Sequence, residues 1–123
     1  MCILVVDDEA DIRWLISELL IDEGYTVAQA TNGHEALIYL QAANPLPCVI
    51  ILDLMMPIMN GWDFLQVRQQ NPLLAPIPIV VVSAARTAIN VSALGVQGAL
   101  DKPFDVDRLL ATIQRYCPSA PPP

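Results

Sequence analysis

This chain of 123 residues carries a single lysine, Lys102, and a single histidine, His34, beside five arginines. Thirteen aspartates and glutamates oppose them, so the formal net charge is −7. A surface so short of cations repels nucleic-acid and anionic lipid phosphates, which argues against direct binding to either. Cysteine is scarce too: Cys2, Cys48 and Cys117 form no CxxC and no cluster spaced for metal. Cys2 and Cys48 open apolar runs and read as small buried hydrophobes of a reducing compartment. Long apolar runs are also missing. The first, CILVV, is stopped by acids after five residues and has no basic start, unlike an export signal. The longest, LLAPIPIVVVSAA, covers 13 residues with two prolines, too few to span a bilayer. The chain therefore reads as cytoplasmic. What it does have is 54% apolar residues in a length suited to one domain. Such a domain buries roughly two-thirds of its unfolded surface and is not disordered.

Three runs are continuously apolar and β-branched: CILVV (2–6), CVIIL (48–52) and IPIVVV (77–82). None alternates with polar residues, so each should be buried on both faces, as in a parallel sheet covered by helices. YTVAQA (25–30) and GAL (98–100) are shorter and suit edge strands. Between them, Ile12, Leu15, Ile16, Leu19 and Leu20 recur at helical spacing, closed by Gly24. Asn32 and Glu35 resemble a capping box before Ala36, Leu37 and Leu40. Phe64 and Leu65 mark a helix ending before Asn71-Pro72, and Asp105 caps one carrying Val106, Leu109, Leu110 and Ile113. TAINVSAL (87–94) occupies the remaining helical position despite poor propensity. Five βα units imply an α/β doubly wound, five-stranded parallel sheet of order 2-1-3-4-5, flavodoxin-like, with helices on both faces. Residues 1–117 make the domain, and 118–123 read as a proline-rich tail or the stump of a linker.

Ligands of such sheets bind beyond the carboxyl ends of the strands. There the sequence delivers Asp7-Asp8-Glu9 after the first strand and Asp53 after the third. Ser83 follows the fourth and Lys102 the fifth. Taken singly, the acids could merely sit at a helix N-terminus, the serine at a core edge and the lysine on a solvated turn. All of these would have to hold at once, along one edge of one sheet. Asp53 resists such a reading most, because a carboxylate after VIIL is costly to desolvate without compensation. The set suits phosphoryl transfer to a carboxylate. Clustered acids attract a hard divalent cation, a carboxylate can act as nucleophile, and an ammonium and a hydroxyl can hold the transferring oxygens.

VVDDEADIR, DLMMPIMNGWDFL, VVVSA and DKPF, in that order and spacing, resemble the receiver domain of two-component response regulators of the chemotaxis-regulator type. The resemblance spans residues 1 to about 117. It implies that Asp53 is the phosphoacceptor and that Asp8, helped by Asp7, binds Mg²⁺ (or Mn²⁺) with Asp53 and the backbone carbonyl of Met55. Ser83 would hold a phosphoryl oxygen beside the small Ala84. Lys102 would pair with Asp53 and then with the phosphoryl group, through a cis Lys102-Pro103 peptide. The donor would be a phosphohistidine on a sensor histidine kinase or a phosphotransfer protein. The output would pass to a partner or fused domain that the sequence does not identify, with neither nucleic acid nor membrane bound directly. His34 lies far from these motifs and reads as a surface residue. Two departures stand out. Ala99 occupies a position where the family commonly has an aromatic residue, and the stretch from Ser83 to Lys102 is shorter than usual.

Two other readings use the same residues. A pseudo-receiver would be a binding module that is not phosphorylated, which Ala99 favours and the intact acid, hydroxyl and lysine set opposes. A haloacid-dehalogenase-type phosphohydrolase would need an aspartate two positions after Asp53. Met55 stands there, and a chain of this length leaves no room for a cap domain.

Overall fold

A computed structural model describes residues 2–84 and 95–118. Its elements run β1 (Cys2–Val6), α1 (Ala10–Asp22), β2 (Thr26–Ala30), α2 (Gly33–Ala42) and β3 (Val49–Leu52). Then follow α3 (Gly61–Gln70), β4 (Ile79–Ser83), β5 (Gly98–Asp101) and the last described helix, here α4 (Val106–Tyr116). The strands form one parallel sheet of order β2-β1-β3-β4-β5, the order expected from the βα rhythm. TAINVSAL lies outside the described residues.

The unbroken apolar runs have a direct physical explanation. Along β1, Leu4 and Val6 face a layer completed by Ala36 and Leu40 of α2 and by Phe64 and Leu65 of α3. Ile3 and Val5 face the opposite layer, with Ile16 and Leu20 of α1 and Leu109 and Ile113 of α4. Both parities of the strand are buried, so neither can be polar. Each fully buried Ile or Leu contributes about 1.5–3 kcal/mol, which makes the two layers the main source of stability.

Local signals set most boundaries. Gly24 closes α1 at φ 95°, its N–H donating to the Ile21 carbonyl. The Asn32 side chain caps α2 by accepting from the Glu35 N–H at 2.9 Å. The returning half of that box differs from expectation, because the Glu35 carboxylate accepts instead from the N–H and hydroxyl of Thr31. Asp105 caps α4 by accepting from the Arg108 N–H. β4 starts at Ile79, later than the apolar run, since Pro76 and Pro78 have no N–H for the ladder. On α1, Leu15 is exposed despite its helical spacing, and the small Ser17 takes a buried place, its hydroxyl bonded to the Arg13 carbonyl.

One side chain corrects the sequence reading, and another goes beyond it. Cys48 is not a free buried thiol; it is disulfide-bonded to Cys117. The start of β3 and the end of α4 meet at the same end and on the same face of the sheet. That juxtaposition is set by topology and leaves no trace in cysteine spacing. Cys2 remains free and half-buried. Arg68, on a helix that looks polar in sequence, is buried at 3% exposure. Its guanidinium donates to the carbonyls of Ala75 and Ile77 at 2.7 and 2.6 Å, satisfying two acceptors of a connection in which Pro72, Pro76 and Pro78 have no N–H.

Candidate functional site

The backbone ladders continue one residue past β1 and β3 and thereby set the acids side by side. The Asp7 N–H donates to Ala30, and the Asp53 N–H donates to Val6, both at the carboxyl end of the sheet. Sheet order changes direction here, between β1 and β3, where a crevice opens in folds of this kind. Asp7 and Asp53 are buried at 2% and 3% exposure, whereas Asp8 is exposed. One oxygen from each of the three lies within 4.8 Å of the others.

Lys102 reaches this cluster from the end of β5. Its position follows from the β4–β5 register, Ser83 opposite Asp101, and from the Lys102 N–H donating to the Ser83 carbonyl. Nζ lies 2.9 Å from Asp7 Oδ2, 3.1 Å from Glu9 Oε1 and 3.6 Å from Asp53 Oδ2. The Lys102-Pro103 peptide is cis. Ser83 is fully buried, and its hydroxyl is among the groups that favour the ionised Asp53 carboxylate. The Met55 N–H approaches Asp53 Oδ1 at 3.4 Å. Asp7, Asp8, Asp53, Met55, Ser83 and Lys102, drawn from four segments, thus converge on one crevice. Ala84 adjoins it and is exposed. His34 is exposed at the start of α2 and belongs to none of these contacts.

The charges strain against burial. Desolvation, then the neighbouring Asp7, pushes the Asp53 carboxyl above its usual range. Lys102, the Met55 N–H and Ser83 pull the other way without cancelling the shift. For Lys102, burial works to lower the pKa, but the hydrogen bond and charge of Asp7, with Glu9 and Asp53, raise it overall. The ammonium is therefore fixed at neutral pH, and its contribution to stability fades only in alkali, as pH climbs through that raised value.

Glu9 is the participant that the motif reading missed. It follows the aspartate pair and reads as one more anion at a helix N-terminus, yet it shares the lysine. Its carboxylate is 58% exposed. Glu9→Gln is therefore expected to change stability by less than about 1 kcal/mol. Urea unfolding of the variant checks this, and a larger loss would mean that Asp7 alone does not hold Lys102.

The loop after Asp53 is tightly built. The Met59 N–H turns back on the Pro57 carbonyl, with Ile58 between them at φ 69° and 84% exposed. A β-branched residue in that region is strained, a condition found mostly near functional sites. The carbonyl of Met59 accepts from the Gly33 N–H at 2.9 Å. A Cβ on Gly33 would meet the Met59 side chain at 2.8 Å. Gly61 is closer still to its neighbours, since a Cβ there would lie 2.6 Å from the Asp53 carbonyl oxygen.

Comparison with known proteins gives a consistent result. A family model described as the response regulator receiver domain matches residues 3–114. An uncharacterised 14.6 kDa protein of Leptolyngbya boryana is 37% identical over 99% of this chain and 94% of its own length. The DNA-binding transcriptional regulator NtrC of Salmonella typhimurium is 36% identical over 90% of this chain, but this chain spans only 24% of NtrC. Among solved structures, the chemotaxis response regulator CheY4 of Vibrio cholerae superposes with a TM-score of 0.83 at 36% identity. That superposition covers 94% of this chain and 97% of CheY4.

Proposed function

Because this chain belongs to the response regulator receiver domain family, we propose that it is a phosphorylation-dependent signalling switch, with Asp53 accepting a phosphoryl group from a phosphohistidine donor. The observation that carries this reading is the pairing at Asp53. A buried carboxylate stands at a strand end with an ammonium 3.6 Å away and two further acids whose oxygens lie within 4.8 Å.

In the proposed step an Asp53 oxygen attacks phosphorus, the P–N bond to the donor imidazole breaks, and an acyl phosphate forms. Lys102 and the Ser83 hydroxyl take the new phosphoryl oxygens. Lys102 must give up part of its contact with Asp7 and Glu9 to do so, which couples the chemical step to a change around β5. Hydrolysis by water returns the carboxylate. The chain is a phosphoacceptor that assists these two steps, not a metabolic enzyme. The all-oxygen donor set of Asp7, Asp8 and Asp53, with the Met55 carbonyl, fits a hard cation such as Mg²⁺ or Mn²⁺. Bound there, the cation would supply positive charge to the phosphoryl oxygens. The donor would be a sensor histidine kinase or a phosphotransfer protein in the cytoplasm. Among the described residues no helix is long and apolar enough to cross a membrane. Residues 1–117 would be the receiver unit and 118–123 its tail or linker, leading to a partner or fused output domain.

The test is to incubate the protein with acetyl phosphate and Mg²⁺ and weigh it intact. The expected result is one phosphoryl adduct, removed by hydroxylamine and absent from Asp53→Asn. Lys102→Ala should still acquire some adduct but lose the accompanying conformational change. No adduct with any donor would put the unphosphorylated binding module ahead, and steady phosphate release from unrelated monoesters would favour a hydrolase.

A further inference from the structure

The Cys48–Cys117 pair lies at the opposite end of the sheet from Asp53 and has no part in phosphoryl transfer. Cys48 stands immediately before β3, and Cys117 caps the C-terminus of α4. Their Cα atoms are 5.7 Å apart, although 69 residues separate them in sequence. That separation is within the ordinary span of a disulfide. The bond therefore fastens the last turn of α4 to the strand that leads to the acceptor.

Three features bear on whether this bond can open and close in place. First, Cys117 is held without it: its N–H donates to Ile113 at 2.8 Å and its carbonyl accepts from the Tyr25 hydroxyl. Reduction thus leaves a small buried thiol in an intact layer rather than a hole. Second, the two sulfurs differ in access, Cys48 being half-buried and Cys117 fully buried. An incoming thiolate reaches Cys48, and Cys117 leaves. Third, the remaining cysteine is turned away from the exchange: the Cys48 sulfur lies 3.2 Å from the Cys2 carbonyl, but the Cys2 thiol lies against Tyr39, which packs in the layer on the other face of the sheet.

We propose that Cys48 and Cys117 form a reversible thiol–disulfide site that adds a covalent anchor to the end of α4 when oxidised and leaves that end on its hydrogen bonds and packing alone when reduced. The co-reactant is a low-molecular-weight disulfide. Both cysteine thiols give up a proton and an electron, forming the S–S bond, and the reagent leaves as two thiols. A small thiol in excess runs the exchange backwards. What changes is the anchoring of the helix end from which residue 118 departs. The chemistry at Asp53 is untouched, so this inference stands or falls independently of phosphorylation.

The test equilibrates the full chain in buffers of stepped ratio of reduced to oxidised glutathione, traps thiols by alkylation and weighs the protein. Expected is one transition in which two alkylatable thiols disappear together while Cys2 remains reactive. Cys2→Ser should keep that transition and Cys48→Ser should lose it. Hydrogen exchange of the last turn of α4 should slow by about tenfold or more on oxidation. The wild-type titration needs no variant, so a misfolded serine mutant does not blur the answer. Three results would overturn the proposal: thiols that stay free or gain only glutathione adducts, a native bond that no thiol excess opens, or equal exchange at the helix end in both forms.

Discussion

Gly61→Ala is expected to destabilise the protein by about 2–4 kcal/mol, a large part of what a domain of this size has. The added methyl would sit 2.6 Å from the Asp53 carbonyl oxygen and 2.8 Å from Leu54 Cα. Both are backbone atoms of the segment leaving β3. They cannot rotate away as a side chain could, and the Gly61 N–H is bonded to the Leu54 carbonyl at 3.0 Å, which ties the helix start to that segment. Relief therefore requires α3 to back off from the sheet, opening the layer around Phe64 and Leu65. Gly24→Ala is the proper comparison. It meets nothing within 4 Å and is strained only by its φ of 95°, so about 1 kcal/mol is expected there. Urea unfolding midpoints of the two variants should differ accordingly. Equal losses would mean that the α3 start yields more easily than its packing implies.

Asp53→Asn is expected to abolish the phosphoryl adduct and, without metal, to raise stability at neutral pH, on the order of 1 kcal/mol. The two effects have one cause. Burial and the neighbouring Asp7 raise the Asp53 pKa on folding, so above that raised value the ionised carboxylate opposes folding. Asparagine removes the charge yet keeps an oxygen for the Ser83 hydroxyl and the Met55 N–H. The sign gives a pH window. The advantage of the variant is full above the raised folded-state value and shrinks as pH falls toward 3.8, the carboxyl's ordinary value. Below that the wild type is protonated in both states and the advantage is gone. Denaturant unfolding of both proteins from neutral to acid pH checks this; a gain that persists unchanged into acid would mean that the charge is not its source. Added Mg²⁺ should narrow the gap at neutral pH, because it stabilises only the protein with the full acid set.

Most of this architecture was legible in the sequence because it rests on burial and local capping. CILVV, VIIL and IVVV are apolar at both parities, so sheet burial on two faces followed without knowing the helices. Asp7, Asp53 and Ser83 stood out for the same reason, each being the first polar side chain after such a run, whereas Lys102 follows Asp101 at the end of a short edge strand. What escaped depends on contacts between distant segments. Cys48 meets Cys117 only once α4 has packed beside β3. Glu9 joins Lys102 only because the lysine side chain reaches from the end of β5, past two intervening strands, back along the carboxyl edge of the sheet toward β1. The burial of Arg68 depends on the proline-rich connection turning its carbonyls inward, which no local pattern announces. Leu15 followed the helical repeat yet is exposed, showing that apolar spacing marks a face and not every member of it.

The hydrogen bond from Gly33 to Met59 gives the molecule an internal brace. The two residues belong to different connections, one opening α2 and the other carrying the chain away from Asp53. Having no side chain of its own, Gly33 lets Met59 settle directly over the first turn of α2, so the two connections form a single ledge. Any shift of the loop after Asp53 must either drag that turn along or break the bond. A single backbone amide, some way from Asp53, thus ties the start of α2 to the loop that leaves β3.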